Sequence, residues 1–115
     1  MSFLYCFSID TWNIGVEETE TWIREHMRDT RENLQGKPLL LEEFGKSIDG
    51  ASEIDQRNEY YKDIHQMVED SISDNDVLKG SLFWNWEAEV LPNPGSYAIS
   101  PQDSTFELIK EVRKS

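Results

Sequence analysis

Apolar and polar positions follow two different periods along this chain, and their succession predicts three strands and three helices. Short apolar runs typical of buried strands cover residues 3–9, 37–45 and 81–87. Between and after them, apolar residues recur every three or four positions over residues 16–34, 52–73 and from 104 onwards, which is typical of amphipathic helices. Strands that alternate with helices in this way favour an α/β fold with parallel strands and helical crossovers.

Each predicted helix has an apolar stripe and a recognisable start or stop. The stripes are Val16, Ile23, Met27, Thr30 and Leu34 in the first helix, Ile54, Tyr61, Ile64, Val68 and Ile72 in the second, and Phe106, Ile109 and Val112 in the third. Gly36 and Pro38 are expected to stop the first helix, because neither residue continues a helix well. Residues 52–55 and 104–107 resemble capping boxes and are expected to open the second and third helices.

The segment KPLLLEEFG, residues 37–45, is predicted to be a buried strand that delivers a carboxylate. Strand alternation would place Leu39, Leu41 and Glu43 on one face and Leu40, Glu42 and Phe44 on the other. Glu43 would then cap an inward-facing column of leucines at the C-terminal end of the strand, where functional residues of parallel barrels collect. The alternative is an ordinary strand exit with two solvated acids, a role that suits Glu42 better.

Aromatic side chains lie at two other strand ends. In the third predicted strand, SLFWNWE, alternation would place Leu82, Trp84 and Trp86 on one face. Trp12 lies in the loop that follows the first strand, where it could line a carbohydrate site or cover the end of a helix. His26 and His65 lie within predicted helices, so packing or surface roles are favoured over catalysis or metal binding.

Composition excludes several classes of partner. The chain has 115 residues, a formal net charge of −12 and a pI near 4.4, so it would repel the phosphate backbone of nucleic acids. A single cysteine, Cys6, excludes an internal disulfide and a cysteine-based metal site. Neither a signal peptide nor a membrane span is expected from the sequence, because no basic region precedes a long apolar run.

Three segments together resemble the C-terminal third of family-five glycoside hydrolases, and the endo-β-1,4-mannanases of plants, fungi and algae most of all. They are residues 37–45 (KPLLLEEFG), residues 80–86 (GSLFWNW) and residues 10–12 (DTW). The resemblance implies that residues 1–115 are a fragment of a (β/α)8 TIM barrel, roughly its last three β/α units. A complete barrel would need roughly 250 residues.

The resemblance also implies a function: retaining endo-hydrolysis of β-1,4-mannan, with Glu43 as the nucleophile. Trp84 would form a platform for a sugar beside the scissile bond, and Trp86, Trp12 and Asn85 would be further substrate contacts. An indole face suits the apolar face of a pyranose, and an amide can meet its hydroxyls. The family implies no metal, no organic cofactor and no obligate protein partner for a full barrel, and an extracellular location for the full-length parent.

The chain departs from the family pattern in two places. The general acid/base glutamate of the family ends the fourth barrel strand, which has no counterpart in this sequence. The loop near Asp10 usually reads His-x-Tyr-Pro-Asp-x-Trp, and an alignment on Asp10 and Trp12 puts Cys6, Ser8 and Ile9 in the His, Tyr and Pro places.

Two other functions remain open on the sequence alone. The chain could be a non-catalytic short protein that retains glycan binding through Trp84 and Trp86. It could also be an acidic α/β domain that binds a partner through its unpaired strand edges, which a three-unit piece of a barrel would expose.

Overall fold

The chain folds into three successive strand–helix units. The computed structural model describes residues 5–8, 16–89 and 97–112, with the backbone alone at residues 5–8, 51 and 112. In chain order the elements are strand β1 (Tyr5–Ser8), helix α1 (Val16–Asn33), strand β2 (Leu39–Phe44), a 3₁₀ turn (Ala51–Glu53), helix α2 (Ile54–Ser73), strand β3 (Leu78–Phe83) and helix α3 (Ser104–Val112). The strands form one parallel sheet in the order β1-β2-β3. The predicted element order and parallel sheet are confirmed.

The core forms where α1 and α2 pack against the sheet. Its members are apolar residues from α1 (Ile23, Met27), β2 (Leu39, Leu41, Phe44), α2 (Tyr60, Tyr61, Ile64, Val68) and the start of β3 (Val77, Leu78), together with Ile99. Helix α3 adds the partly buried Phe106 and Ile109. This single cluster fixes β2 in the middle of the sheet, with helices covering one of its faces.

Helix α1 follows the sequence prediction closely. Ile23, Met27 and Thr30 of its predicted stripe are buried. The helix ends where Gly36 was expected to stop it: the Gly36 N–H donates to the Thr30 carbonyl at 3.0 Å, and Gly36 has a φ of 68°. This left-handed conformation closes the last turn and is readily adopted by glycine.

Helix α2 departs from the prediction at both ends. The predicted capping box at residues 52–55 is wrong, because the helix begins at Ile54 after a 3₁₀ turn and its N-cap, Glu53, makes no side-chain capping bond. The Glu53 carboxylate instead accepts a hydrogen bond from the Asp49 N–H at 3.4 Å. At the other end, Ile72 was expected in the core but is 52% exposed.

Helix α3 begins at Ser104, the first residue of its predicted capping box. The structure gives the box residues other partners. The Ser104 hydroxyl accepts a hydrogen bond from Asn58 of α2 at 2.9 Å, and Glu107 pairs with Lys110 at 2.9 Å. The start of α3 is therefore bound to α2 through side chains.

A carboxyl pair at the contact between α1 and α2 makes stability depend on pH. Burial, and then the hydrogen bond and negative charge of Glu20, raise the pKa of Asp63 to about 6. The folded state therefore favours the protonated Asp63, and this contribution to stability is lost as the pH rises through about 6. Asp63→Asn, which mimics the protonated form, should therefore stabilise the chain near pH 7. The expected gain is only about 1 kcal/mol, because solvent screens the charge of this partly exposed group.

The measurement is urea unfolding of Asp63→Asn and of the unsubstituted chain near pH 7 and near pH 4, where the difference between them should vanish. Comparing the two proteins at each pH cancels the opposite effect of His65. Burial lowers the pKa of His65, so its protonation destabilises the folded chain in acid. Glu59→Gln, at an exposed position of the same helix, is the control and should change little. Equal or lower stability of Asp63→Asn near pH 7 would contradict the prediction.

Candidate active site

A β-bulge near the end of β2 determines where its two acidic residues lie. Leu41 of β2 pairs with Ser81 of β3, and Phe44 pairs with Phe83. Phe83 comes two residues after Ser81, but Phe44 comes three residues after Leu41, so β2 has one extra residue. The pairing of β1 with β2 shows the same extra residue. The insertion falls at residues 42–43, and an extra residue of this kind bends a strand and redirects its side chains.

The bulge corrects the predicted faces of β2. Phe44 was predicted opposite Leu39 and Leu41, but all three are fully buried in the same helix-facing core. The two leucines therefore do not form a column facing away from the helices. Leu40 occupies the other face, where its Cδ1 atom would lie 3.2 Å from a Cβ atom built on Gly80. The error arose because simple alternation has no place for an extra residue.

Glu42 and Glu43 are the two residues of the bulge, between Leu41 and Phe44. Neither belongs to the core: Glu42 is exposed and Glu43 is partly exposed. Because Leu41 and Phe44 are both fully buried in the helix-facing core, the two acids between them lie outside that core, at the C-terminal end of β2. The bulge, and not the predicted alternation, accounts for this position of Glu43.

Trp84 lies immediately beside this end of β2. Strand β3 spans residues 78–83 and not the predicted 81–87, so Trp84 is the first residue beyond it. The Trp84 N–H donates to the Phe44 carbonyl at 2.8 Å, and the Trp84 side chain remains 50% exposed. The peptide bond between Trp84 and Asn85 is cis. The backbone hydrogen bond brings an exposed indole next to the residue that follows Glu43.

Beyond Trp84, the chain pairs with a later segment and not with the sheet. The Glu87 N–H donates to the Ile99 carbonyl and the Ile99 N–H donates to the Asn85 carbonyl, each at 2.8 Å. The Trp86 ring, 43% exposed, packs against Phe106 of α3 with ring centroids 4.9 Å apart. The structure therefore brings Glu43, Trp84, Asn85 and Trp86 to one end of the fold. Trp12 lies outside the described residues.

An aromatic cluster supports the bulge from the helix side. Phe44 contacts Tyr61 at 5.0 Å and His65 at 5.9 Å between ring centroids, with the His65 ring edge-on. Burial raises the pKa of Tyr60, also in contact with Phe44, to about 12. His65 is buried among aromatic rings, as expected for a packing histidine. Phe44 thus packs against three aromatic side chains, and Glu43 directly precedes this buried residue.

Sequence reasoning missed Arg57, whose side chain is fully buried. Its guanidinium donates to Thr105 Oγ1, the Ala98 carbonyl and Asp103 Oδ2 at 3.0, 3.0 and 3.2 Å. The signal was its position in α2: Arg57 follows Ile54 by three residues and precedes Tyr61 by four, so it falls on the apolar stripe. A charge on such a stripe indicates a buried, hydrogen-bonded group.

An apolar groove runs along β3 on the helix side. It has a volume of about 630 Å³ and is lined by Phe44 of β2 and by residues of α2, β3 and α3, including the exposed side chains of Ile72 and Leu82. Neither Glu43 nor Trp84 contributes to its lining. The groove therefore extends to Phe44 on the helix side of the sheet but includes neither the candidate carboxylate nor the Trp84 indole.

The described residues show neither a metal site nor a membrane span. Among them, no group of three or more His, Cys, Asp or Glu side chains is placed to hold a metal ion. No helix within the same residues is long and apolar enough to cross a bilayer.

A carboxylate and exposed indoles at one end of a parallel sheet are residue types suited to binding and cleaving sugars. Comparisons with known proteins show which family the chain resembles. A family model described as GH family 5 beta-mannosidase-like matches residues 6–106. Mannan endo-1,4-beta-mannosidase 1 of Arabidopsis thaliana is 34% identical over 74 residues, which are 61% of this chain and 18% of that protein. The chain spans between 18% and 24% of the length of the curated relatives it matches.

Two solved structures share the fold. A glycoside hydrolase family 5 mannosidase from Rhizomucor miehei superposes with a TM-score of 0.66 at 17% identity, over 96% of this chain and 36% of that one. The hyperthermostable endo-1,4-beta-D-mannanase from Thermotoga petrophila gives a TM-score of 0.64 at 23% identity, over 96% and 32%. The predicted fold class, part of a (β/α)8 TIM barrel, is confirmed.

Proposed function

The chain belongs to the GH family 5 beta-mannosidase-like family, and from that premise we propose that it supplies the nucleophile and a sugar platform of a retaining endo-β-1,4-mannanase. The observation that carries the proposal is the hydrogen bond from the Trp84 N–H to the Phe44 carbonyl. It joins the ends of two parallel strands so that the Glu43 carboxylate and an exposed indole lie at the same end of the sheet.

In the proposed reaction, a Glu43 oxygen attacks the anomeric carbon of a mannose unit. The bond to the leaving sugar breaks as a second carboxylic acid protonates the departing oxygen, and a glycosyl ester forms on Glu43. Water, deprotonated by that second group, then attacks the same carbon and releases Glu43. Retaining enzymes hold the two carboxyl groups about 5 Å apart, on either side of the sugar.

The residues around Glu43 fit the demands of this reaction. The exposed Trp84 face offers an apolar surface on which a pyranose can stack, and the Trp86 ring lies just beyond it, anchored on Phe106. Phe44 and the aromatic cluster hold the backbone of the nucleophile in place from behind. The mechanism requires no metal or organic cofactor from these residues.

We assign residues 1–115 to the last three β/α units of the barrel. The matched fraction of the solved structures, 32–36%, supports this assignment. So do the half-exposed side chains of Ile72 and Leu82 beside β3, a strand that pairs only with β2 among the described residues. The acid/base glutamate would lie on a preceding unit, and the family resemblance favours an extracellular full-length protein.

The proposal predicts that the 115-residue chain alone hydrolyses no β-mannan at a useful rate. A nucleophile without its acid/base partner loses most of the rate enhancement, because the two groups act as a unit. The measurement is reducing-sugar release from galactomannan and from linear mannan, with Glu43→Ala as the background control. Release well above that control would contradict the assignment of the acid/base group to another part of the barrel.

Binding measurements separate the remaining alternatives. Retention of the chain on immobilised mannan without hydrolysis, in every polypeptide that contains it, would favour a non-catalytic glycan-binding protein. No measurable binding to glycans, together with a reproducible complex with another protein, would favour a partner-binding α/β domain.

A further inference from the structure

Within the part of the chain that the structure describes, the buried guanidinium of Arg57 hydrogen-bonds only to residues outside its own helix. Burying a charge is strongly unfavourable unless hydrogen bonds and an opposite charge compensate for it. Among the described residues, its hydrogen-bond acceptors all lie in residues 98–105: the Ala98 carbonyl, the Asp103 carboxylate and the Thr105 hydroxyl. Arg57 therefore binds this segment to α2.

The segment that Arg57 holds contains the backbone partner of the tryptophans. Ile99, which is fully buried, exchanges two hydrogen bonds with residues 85 and 87, on either side of Trp86. Arg57 fixes both flanks of Ile99. On one side it binds the Ala98 carbonyl directly, and on the other it binds Asp103, whose Oδ2 atom also accepts from the Ser100 N–H at 2.9 Å.

A second connection reaches the Trp86 ring itself. The Thr105 hydroxyl accepts a hydrogen bond from Arg57 Nε, and Thr105 lies in the first turn of α3, next to Phe106. The Phe106 ring packs against the Trp86 ring. The Thr105 hydroxyl in turn donates to Asn58 Oδ1 at 2.5 Å, which ties the same turn to α2. Both the backbone and the ring of Trp86 thus depend on groups bound to Arg57.

We infer that Arg57 is a positioning residue that sets the orientation of Trp84 and Trp86 relative to Glu43. It touches no substrate. It acts through residues 98–105 on residues 85–87, while the Trp84 N–H bond to Phe44 fixes the other end of the indole pair. Its relevance to mannan rests on the proposed function, but its effect on the tryptophans does not.

The test uses the full chain labelled with 5-fluorotryptophan, because each of its four tryptophans gives a separate ¹⁹F resonance. Trp84→Phe and Trp86→Phe assign two of the signals. Trp22, which lies on α1 against His26, serves as an internal reference. Arg57→Lys keeps the charge but loses the planar fork that reaches three acceptors at once. Asp103→Asn is the milder second variant and decides the outcome if Arg57→Lys does not fold.

The Trp84 and Trp86 resonances should shift or broaden in both variants, while that of Trp22 stays in place. Arg31→Lys is the control, since Arg31 also pairs with an aspartate but on an exposed surface: its Nη1 atom donates to both Asp76 carboxylate oxygens, at 3.0 and 2.9 Å. It should leave all the signals unchanged. Unmoved Trp84 and Trp86 resonances in a folded variant would overturn the inference, as would an equal change at Trp22, which indicates general loosening.

Titration with β-1,4-mannohexaose links the effect to substrate. The unsubstituted chain should show a sugar-dependent shift at Trp84, and Asp103→Asn should bind about fivefold more weakly, the size of one stacking contact. Equal affinity despite altered tryptophan signals would overturn the substrate role of Arg57. No sugar response in the unsubstituted chain, with the ¹⁹F changes present, would count against the proposed function and leave the positioning by Arg57 established.

Discussion

Replacing Glu43 by glutamine should abolish mannan hydrolysis, with kcat reduced about 10⁴-fold or more, in a polypeptide that completes the barrel. One such polypeptide is a chimera in which the preceding β/α units come from the Thermotoga petrophila mannanase. The reason is chemical: glutamine cannot form the glycosyl ester, so the double displacement has no first step. The measurement is the initial rate on mannohexaose, with KM determined separately.

Glu42→Gln is the matched control for this loss. Glu42 is the adjacent acid in the same bulge, and its substitution removes the same charge from the same strand end. It should retain most of the activity, because the exposed Glu42 has no part in the proposed reaction. Similar losses in the two variants would indicate that the charge of the strand end matters and that Glu43 has no special role.

Chemical rescue sharpens the assignment further. In Glu43→Ala, a small external nucleophile such as azide can enter the space left by the carboxylate. With an activated aryl mannoside, azide should restore cleavage and yield a mannosyl azide of inverted configuration. If Glu43 were only a structural or an acid/base residue, azide would not give this product.

The sequence was sufficient for the order and type of the elements because the hydrophobic periods differ so clearly. Ile23, Met27 and Thr30 repeat at helical spacing, and all three are buried in α1 as expected. Short-range patterns were less informative at the element ends. The third strand was predicted around residues 81–87, but strand pairing ends at Phe83, since Trp86 instead pairs with Ile99. Such long-range pairing leaves no local pattern.

The candidate site was predictable in its residue types but not in its geometry. Glu43 and Trp84 were selected by their resemblance to family motifs, and the structure places both at one end of the sheet. The path by which Glu43 reaches it was not predictable, because an extra residue in β2 changes the phase of alternation without changing composition. Arg57 was missed for a related reason: its partners lie more than 40 residues away in sequence.

The bulge keeps both acidic residues of β2 out of the core. In a regular strand, neighbouring side chains point to opposite faces, so a core-facing Phe44 would be separated by one residue from a core-facing Glu42. The extra residue removes that constraint. Both acids stay out of the core while Phe44 continues the buried row of Leu39 and Leu41. The Glu43 carboxylate therefore remains accessible, while one residue of β2 has no partner in the ladder. The buried Phe44 ring holds this end of the strand against the helices.

Phe44→Ala should consequently destabilise the chain by about 3–5 kcal/mol, the usual cost of removing a buried aromatic ring. Simple alternation predicts a different result, since it would place Phe44 on the face opposite the leucines and away from the helices. Leu40→Ala is the matched control: Leu40 is in the same strand but only partly buried on the uncovered face, so its loss should cost clearly less. Phe44→Leu, which retains part of the volume, should fall between the two.

The measurement is the free energy of unfolding in urea for the three variants at one pH. The expected order of destabilisation, Phe44→Ala above Phe44→Leu above Leu40→Ala, follows from burial, because Phe44 contacts the rings of Tyr60, Tyr61 and His65. If Phe44→Ala unfolds the chain outright, Phe44→Leu against Leu40→Ala still distinguishes the two faces. A larger loss for Leu40→Ala would mean that β2 presents its alternate face to the helices, and the position of Glu43 would then be wrong as well.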